Sequence, residues 1–352
     1  MLAALVCCPL AAGATSHERD VYLHVVDAGI PRTKAIWWNP AAKWFSQRPP
    51  RAIDGRHDVA TLWDVFPLFE AADLVAAARP SPGRRATVEL IGRGAERYWN
   101  PHFKGYWFLP EQRPHAQAYF DDNGRWALAF FDAYRATRDH RFLRDTVRAF
   151  HFIAADGWAK NGGGIWWDTR HRGKTIEPLA AEVLAGAELY GATHNRSYLR
   201  ESLRLLAWAN LHSWNRSRRL YQRNETDPTV MNYIQGMMIA AHVRLCLALK
   251  RPAFCRRASG LAAASLRAFP PSYHWSNETD AIYYRFLLEL YKVDHERRWY
   301  RAANRWARQA LVNARGPNGV FSRLWDGEPA AKHRLLTPGG TLMLFAALAA
   351  AR

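Results

Sequence analysis

The chain has 352 residues, 49% of them hydrophobic and 23% charged, so it can bury a sizeable core and falls outside the disordered class. Lys and Arg number 49 against 31 Asp and Glu, a formal net charge of +18, and only eight of those cations are Lys. No basic helix, zinc-ligand spacing or aromatic RNA-binding motif accompanies this charge, so no specific nucleic-acid partner is expected. A solvated basic surface comes first, and contact with an anionic cell envelope next.

Residues 1–14 read as a signal peptide: an apolar run ends in Ala12-Gly13-Ala14, ahead of a cleavage point. The run lacks a basic start, so the natural start is expected to lie upstream. It is too short to span a membrane. The mature chain, 15–352, is then expected to be exported, either secreted or associated with the envelope. It keeps two cysteines, Cys246 and Cys255, nine residues apart. They either form a disulfide or remain two buried thiols.

Beyond the leader, helical periodicity dominates and strand alternation is scarce. Inner helices, apolar on nearly all sides, are predicted near 57–78, 125–137, 176–192, 230–249, 279–293 and 338–351. Amphipathic outer helices are predicted near 83–98, 141–155, 197–212, 253–267 and 297–313, with a sixth candidate in the 18–46 region. A junction of one character recurs between them. Tyr134-Arg-Ala-Thr137-Arg-Asp139 is followed by Tyr190-Gly-Ala-Thr193-His-Asn195, and weaker copies start at Leu247 and Tyr291. Tyr134 and Tyr190 are 56 residues apart, a period that fits a repeated helical hairpin. Six inner and about six outer helices describe an all-α (α/α)6 barrel, expected as one catalytic domain over 15–352. The long connections 99–122, 156–175 and 213–229 would then form a cleft around the inner-helix N-termini.

Three motifs in these connections carry candidate chemistry. The first is Tyr119-Phe120-Asp121-Asp122-Asn123-Gly124-Arg125-Trp126. One Asp ahead of a helix is a cap, but two carboxylates held close cannot both ionise cheaply, which suits acid and base work on a glycosidic bond. The second is Asn161-Gly162-Gly163-Gly164-Ile165-Trp166-Trp167-Asp168, where glycines permit close backbone approach and Trp offers stacking faces. It is no dinucleotide site, since GxGxxG spacing and a preceding strand are lacking. The third, Met231-Asn232-Tyr233-Ile234-Gln235-Gly236, offers amide and phenol groups to sugar hydroxyls, or simply caps a helix. The 14 His are scattered without ligand spacing, so neither metal nor cofactor is implied.

Taken together and in this order, the motifs resemble glycoside hydrolase family 76, the α-1,6-mannanase family, over roughly residues 57–350. Its pattern runs Tyr-x-Asp-Asp, Gly-Gly-Gly-x-x-Trp and Tyr-Asn-Gln-Gly. Ala281-Ile-Tyr-Tyr-Arg285-Phe286 and Leu336-Thr-Pro-Gly-Gly340 resemble its last two inner helices. The resemblance implies the same (α/α)6 fold and a retaining glycoside hydrolase with Asp121 as nucleophile and Asp122 as acid/base. It implies an oligo- or polysaccharide substrate with α-mannoside linkages, either α-1,6-mannan or a mannosylated envelope glycan. Trp63, Tyr119, Trp126, Gly163, Gly164, Trp166, Tyr233, Gln235 and Arg285 are the expected substrate-binding residues. Three places depart from the family pattern: Ile234 stands where Asn is usual, Lys174–Leu179 lacks the expected Asn, and Leu220–Asn224 lacks the usual acid. A transglycosylase on the same glycans, or a non-catalytic glycan- or envelope-binding protein, are the alternatives.

Overall fold

A computed structural model describes residues 16–49, 59–110, 117–271, 275–330 and 333–352. The leader and the first residues of the predicted 57–78 helix lie outside the described residues. Twelve α-helices are present among them: α1 (Ser16–Trp37), α2 (Leu62–Ala78), α3 (Pro82–Gly94), α4 (Phe120–Thr137), α5 (His140–Phe152), α6 (Ile176–Thr193), α7 (Arg196–His212), α8 (Asn232–Leu249), α9 (Pro252–Ala268), α10 (Asn277–Asp294), α11 (Arg297–Asn313) and α12 (Leu336–Ala350). The even-numbered helices form an inner ring. Each packs on the next, and α12 closes the ring on α2. The odd-numbered helices lie outside, α3 to α11 each against the inner helix before it and α1 against α12. This is the (α/α)6 barrel.

The recurring junction is a device for turning back. Arg138, His194, Lys250 and His295 each end an inner helix in the left-handed region and donate their N–H to the carbonyl four residues back. In the first two copies the next residue, Asp139 or Asn195, caps the outer helix by accepting from the backbone N–H two residues on. Thr137 and Thr193 Oγ1 accept the N–H of that capping residue. Cys246 and Cys255 are joined as a disulfide across the third copy, with Cα atoms 5.4 Å apart.

At the opposite end, three outer helices lead into two-residue antiparallel hairpins that the alternation pattern did not predict: β1 (Trp38–Asn39) with β2 (Trp44–Phe45), β3 (Trp99–Asn100) with β4 (Gly105–Tyr106), and β5 (Trp214–Asn215) with β6 (Leu220–Tyr221). Each begins Trp-Asn, and the Asn side chain accepts backbone N–H groups of its own turn. No helix among the described residues is long and apolar enough to cross a membrane.

Candidate active site

The inner-helix N-termini meet at the hairpin end of the barrel. Helix α4 starts at Phe120, five residues earlier than periodicity predicts, so Asp121 and Asp122 lie in its first turn rather than in the preceding loop. Phe120 is buried against Phe152 and fixes that start, and the helix dipole favours the two carboxylates there. Asp122 donates its backbone N–H to Asp121 Oδ1 at 3.0 Å. The segment 167–169 pairs with 118–120, through Phe120 N to Trp167 O and Thr169 N to Ala118 O, which brings the Trp167 indole to the pair. Trp167 Nε1 donates to Asp121 Oδ2 at 3.2 Å, and the ring stays 37% exposed. Asp168, fully buried, locks this loop through Arg172 and the backbone N–H groups of Arg170 and Arg172.

The carboxyls differ electrostatically. Burial, and then the charge of Glu177, push Asp121 up to about 7, against the pull of the Trp167 hydrogen bond. Burial pushes Asp122 further, well above the carboxylate range, and the charges of Asp121 and Asp64 add to it. Asp122 therefore holds its proton where Asp121 has begun to ionise.

Two flanking carboxylates were not singled out from sequence. Asp64, in the first turn of α2, completes a capping box with Thr61 and pairs with Arg334 at 2.6 Å. Glu177 opens α6, with Oε1 2.8 Å from Arg223 Nε and Oε2 buried without a partner. Glu177 and Arg223 lie in two of the segments that depart from the family pattern, so these departures meet as one ion pair beside Asp121. Arg223 also reaches Asp227 at 3.1 Å and lies 3.7 Å from Met231 Sδ, to which the Tyr233 hydroxyl also donates at 3.3 Å. Burial and the charges of Glu177 and Asp121 raise Tyr233 well above the usual phenol range.

Of the expected substrate-binding residues, Trp63, Tyr119, Trp166 and Tyr233 remain partly exposed. Tyr119 packs its ring 5.1 Å from Trp167. Trp166 instead stacks on His171, and its neighbour Trp167 is the indole that touches Asp121.

The other five have structural tasks. Trp126 is fully buried and donates Nε1 to the Leu62 carbonyl, joining α4 to α2. Gln235 is fully buried too, clamping Tyr221 of β6 by its N–H at 2.9 Å and its carbonyl at 2.7 Å. Asn123 clamps Tyr106 of β4 in the same way. Arg285 lies in the barrel axis, bound to Glu70 and Asp132. Gly163 and Gly164 adopt positive φ, and a side chain there would strike Trp158 and Trp208. Their freedom serves a turn packed against the indoles of Trp158 and of Trp208 in α7. Ile234, another departure, is a fully buried core residue. Among the described residues, no three His, Cys, Asp or Glu converge to hold a metal ion.

A barrel whose inner-helix mouth holds an adjacent carboxyl pair of split ionisation defines a glycosidase-like class. The sequence pattern of glycosyl hydrolase family 76 matches residues 82–302. The chain belongs to that family and is a glycoside hydrolase. Solved structures agree in fold. A family 76 mannosidase of Bacteroides thetaiotaomicron superposes with a TM-score of 0.82 at 17% identity, covering 95% of this chain and 98% of that one. The GH76A α-1,6-mannanase of Salegentibacter sp. gives 0.78 at 17% identity, covering 94% and 100%. Dfg5 of Chaetomium thermophilum, solved with glucosamine, gives 0.76 at 13% identity, covering 96% and 91%. No curated protein matches the chain.

Proposed function

We propose that the protein is a retaining glycosidase of α-mannoside linkages, with α-1,6-linked mannan or a mannosylated envelope glycan as substrate. The observation that carries this is the pair itself: Asp122 kept protonated, and Asp121 ionising with both oxygens oriented by N–H donors. An inactive variant of the Salegentibacter mannanase, with two adjacent aspartates replaced, was solved with α-1,6-mannotriose, which supports both the pair and the linkage.

In the first step an Asp121 carboxylate oxygen bonds to the anomeric carbon as the glycosidic bond breaks, and the leaving oxygen takes the Asp122 proton. In the second, Asp122 takes a proton from water, whose oxygen displaces Asp121 from the same carbon. Two inversions return the starting anomeric configuration. Trp63, Tyr119, Trp166, Trp167 and Tyr233 line the subsites in this reading. The disulfide fits an oxidising compartment, so we place the enzyme outside the cytoplasm. A mature N-terminus near Thr15 in the exported protein checks that placement, and Met1 retained in a cytoplasmic form contradicts it.

The test separates the two roles. Asp121→Ala abolishes turnover of every mannoside. Asp122→Ala loses natural glycans but still cleaves an activated aryl mannoside, whose leaving group needs little protonation. Azide then restores its turnover and gives a glycosyl azide of the substrate's configuration. Full activity of either variant on α-1,6-mannan ends the proposal, and products longer than the substrate would show transfer in place of hydrolysis.

A further inference from the structure

Exposed cations gather on the helix turns at the end of the barrel away from the carboxylate mouth. Helices α4, α6, α8 and α10 are each 18 residues long, so their ends are level and the four turns that follow them lie near one plane. The three turns after α4, α6 and α8, with the starts of the outer helices that follow them, carry Arg138, Arg144, Arg196, Arg200, Lys250 and Arg251. All six are exposed and none holds an ion pair among the described residues. The carboxylates nearest them in sequence are already engaged: Asp139 by Arg141, Asp145 by Arg148 and Glu201 by Arg204. The opposite end is mixed in charge: exposed cations such as Lys43, Lys104 and Arg216 stand around a mouth where Asp64, Asp121, Asp122, Glu177, Glu278 and Asp280 lie in first turns of inner helices.

We propose that this cationic end docks the protein on a bilayer bearing anionic headgroups. A flat charged sheet meets all three cationic turns at once, whereas a linear polyanion follows a groove and reaches only some of them. Leu247, 49% exposed in the last turn of α8, offers an apolar side chain at headgroup level beside Lys250. Docked this way, the carboxylate mouth faces away from the membrane at about 27 Å, the length of an 18-residue helix. It would meet glycan that extends from the surface rather than the linkage next to the lipid. The proposal does not depend on the reading of the reaction, because docking is measured without substrate.

The experiment is co-sedimentation of the whole protein with vesicles of phosphatidylcholine alone or mixed with phosphatidylglycerol. Binding is expected only to the mixed vesicles and is lost in high salt. A variant combining Arg144→Gln, Arg196→Gln, Arg200→Gln and Arg251→Gln should partition more weakly by on the order of a thousandfold. A second variant removes equal charge from the hairpin end: Lys43→Asn, Lys104→Asn, Lys160→Gln and Arg216→Gln. It should bind like the parent, and both should keep parental circular dichroism and turnover of soluble substrate. Equal loss in both variants, or no binding to mixed vesicles, overturns the proposal. So does capture by soluble polyphosphate or DNA without binding to vesicles.

Discussion

Asp121 is held between two influences of opposite sign. On top of burial, which does most to raise its pKa, the charge of Glu177 raises it further and the Trp167 indole lowers it. As the proposed nucleophile Asp121 must be ionised, so activity is expected to fall as pH drops through the value of about 7 to which it is pushed. Glu177→Gln removes the repelling charge, and the acid limb of kcat/KM against pH should move to lower pH. Trp167→Phe removes the donor and should move that limb upward. It should also cost roughly 10- to 100-fold in kcat, the weight of a hydrogen bond to a charged group, about 1.5–3 kcal/mol. Movement of both limbs in one direction would remove Asp121 from the nucleophile's place. The Asp121–Asp122 pair was legible in sequence because two adjacent acids beside aromatics have no ordinary capping purpose. Trp167 was not, because adjacent residues of an extended segment face opposite ways and only the pairing of 167–169 with 118–120 sets which Trp turns to the cleft. Glu177 gave no signal of its own, because a lone Glu at a helix start is ordinary capping chemistry and its segment stands out only for the Asn it lacks.

At the scale of elements, glycines set how closely the inner helices meet at the mouth. A Cβ on Gly124 would stand 2.6 Å from Ala181 Cβ, and one on Gly236 2.9 Å from Tyr283 Cα. On Gly340 it would meet backbone atoms of Glu278 at 2.6 Å. Backbone yields less readily than a flexible side chain, so Gly340→Ala should destabilise by about 2–3 kcal/mol through overpacking. A lower urea midpoint with unchanged slope would show this, and parental stability would mean that α10 and α12 are free to part. The glycines of Asp-Asp-Asn-Gly, Ile-Gln-Gly and Thr-Pro-Gly-Gly thus belong to helix packing, although each sits in a motif that marks the site. Helix pairs and their turns were legible from a 3.6-residue period and repeated Tyr and Thr. The hairpins were not, since two-residue strands are too short for alternation to register, and their Trp-Asn starts at 38, 99 and 214 are unevenly spaced. That spacing also hid the parallel between Asn123 and Gln235, each a clamp on the hairpin beside its own helix.

Across the whole molecule, the ring of six inner helices encloses charge as well as apolar surface. Glu70 of α2 accepts from Arg125 of α4 and from Arg285 of α10, and Arg285 also reaches Asp132 of α4. These four side chains join helices that are not all neighbours in the ring, and all four are buried. An Arg at this depth cannot be anticipated from sequence, where Arg285 in an aromatic helix reads as one more sugar contact. Its replacement distinguishes the two tasks. Arg285→Met keeps much of the volume and the apolar stem but leaves Asp132 facing only Arg135 at 3.7 Å, and Glu70 with Arg125 alone. Breaking a buried pair from one side strands the remaining charge, so stability at pH 7 should fall by about 3–5 kcal/mol. The KM for the glycan substrate should stay near the parent's at temperatures where the variant is folded. Adding Asp132→Leu removes the stranded carboxylate and should recover a large part of the loss, since paired charges replaced together by apolar groups cost little. A raised KM with unchanged urea midpoint would return Arg285 to the substrate. Loss of stability without recovery in the double variant would mean that Asp132 answers to Arg135 rather than to the axial guanidinium.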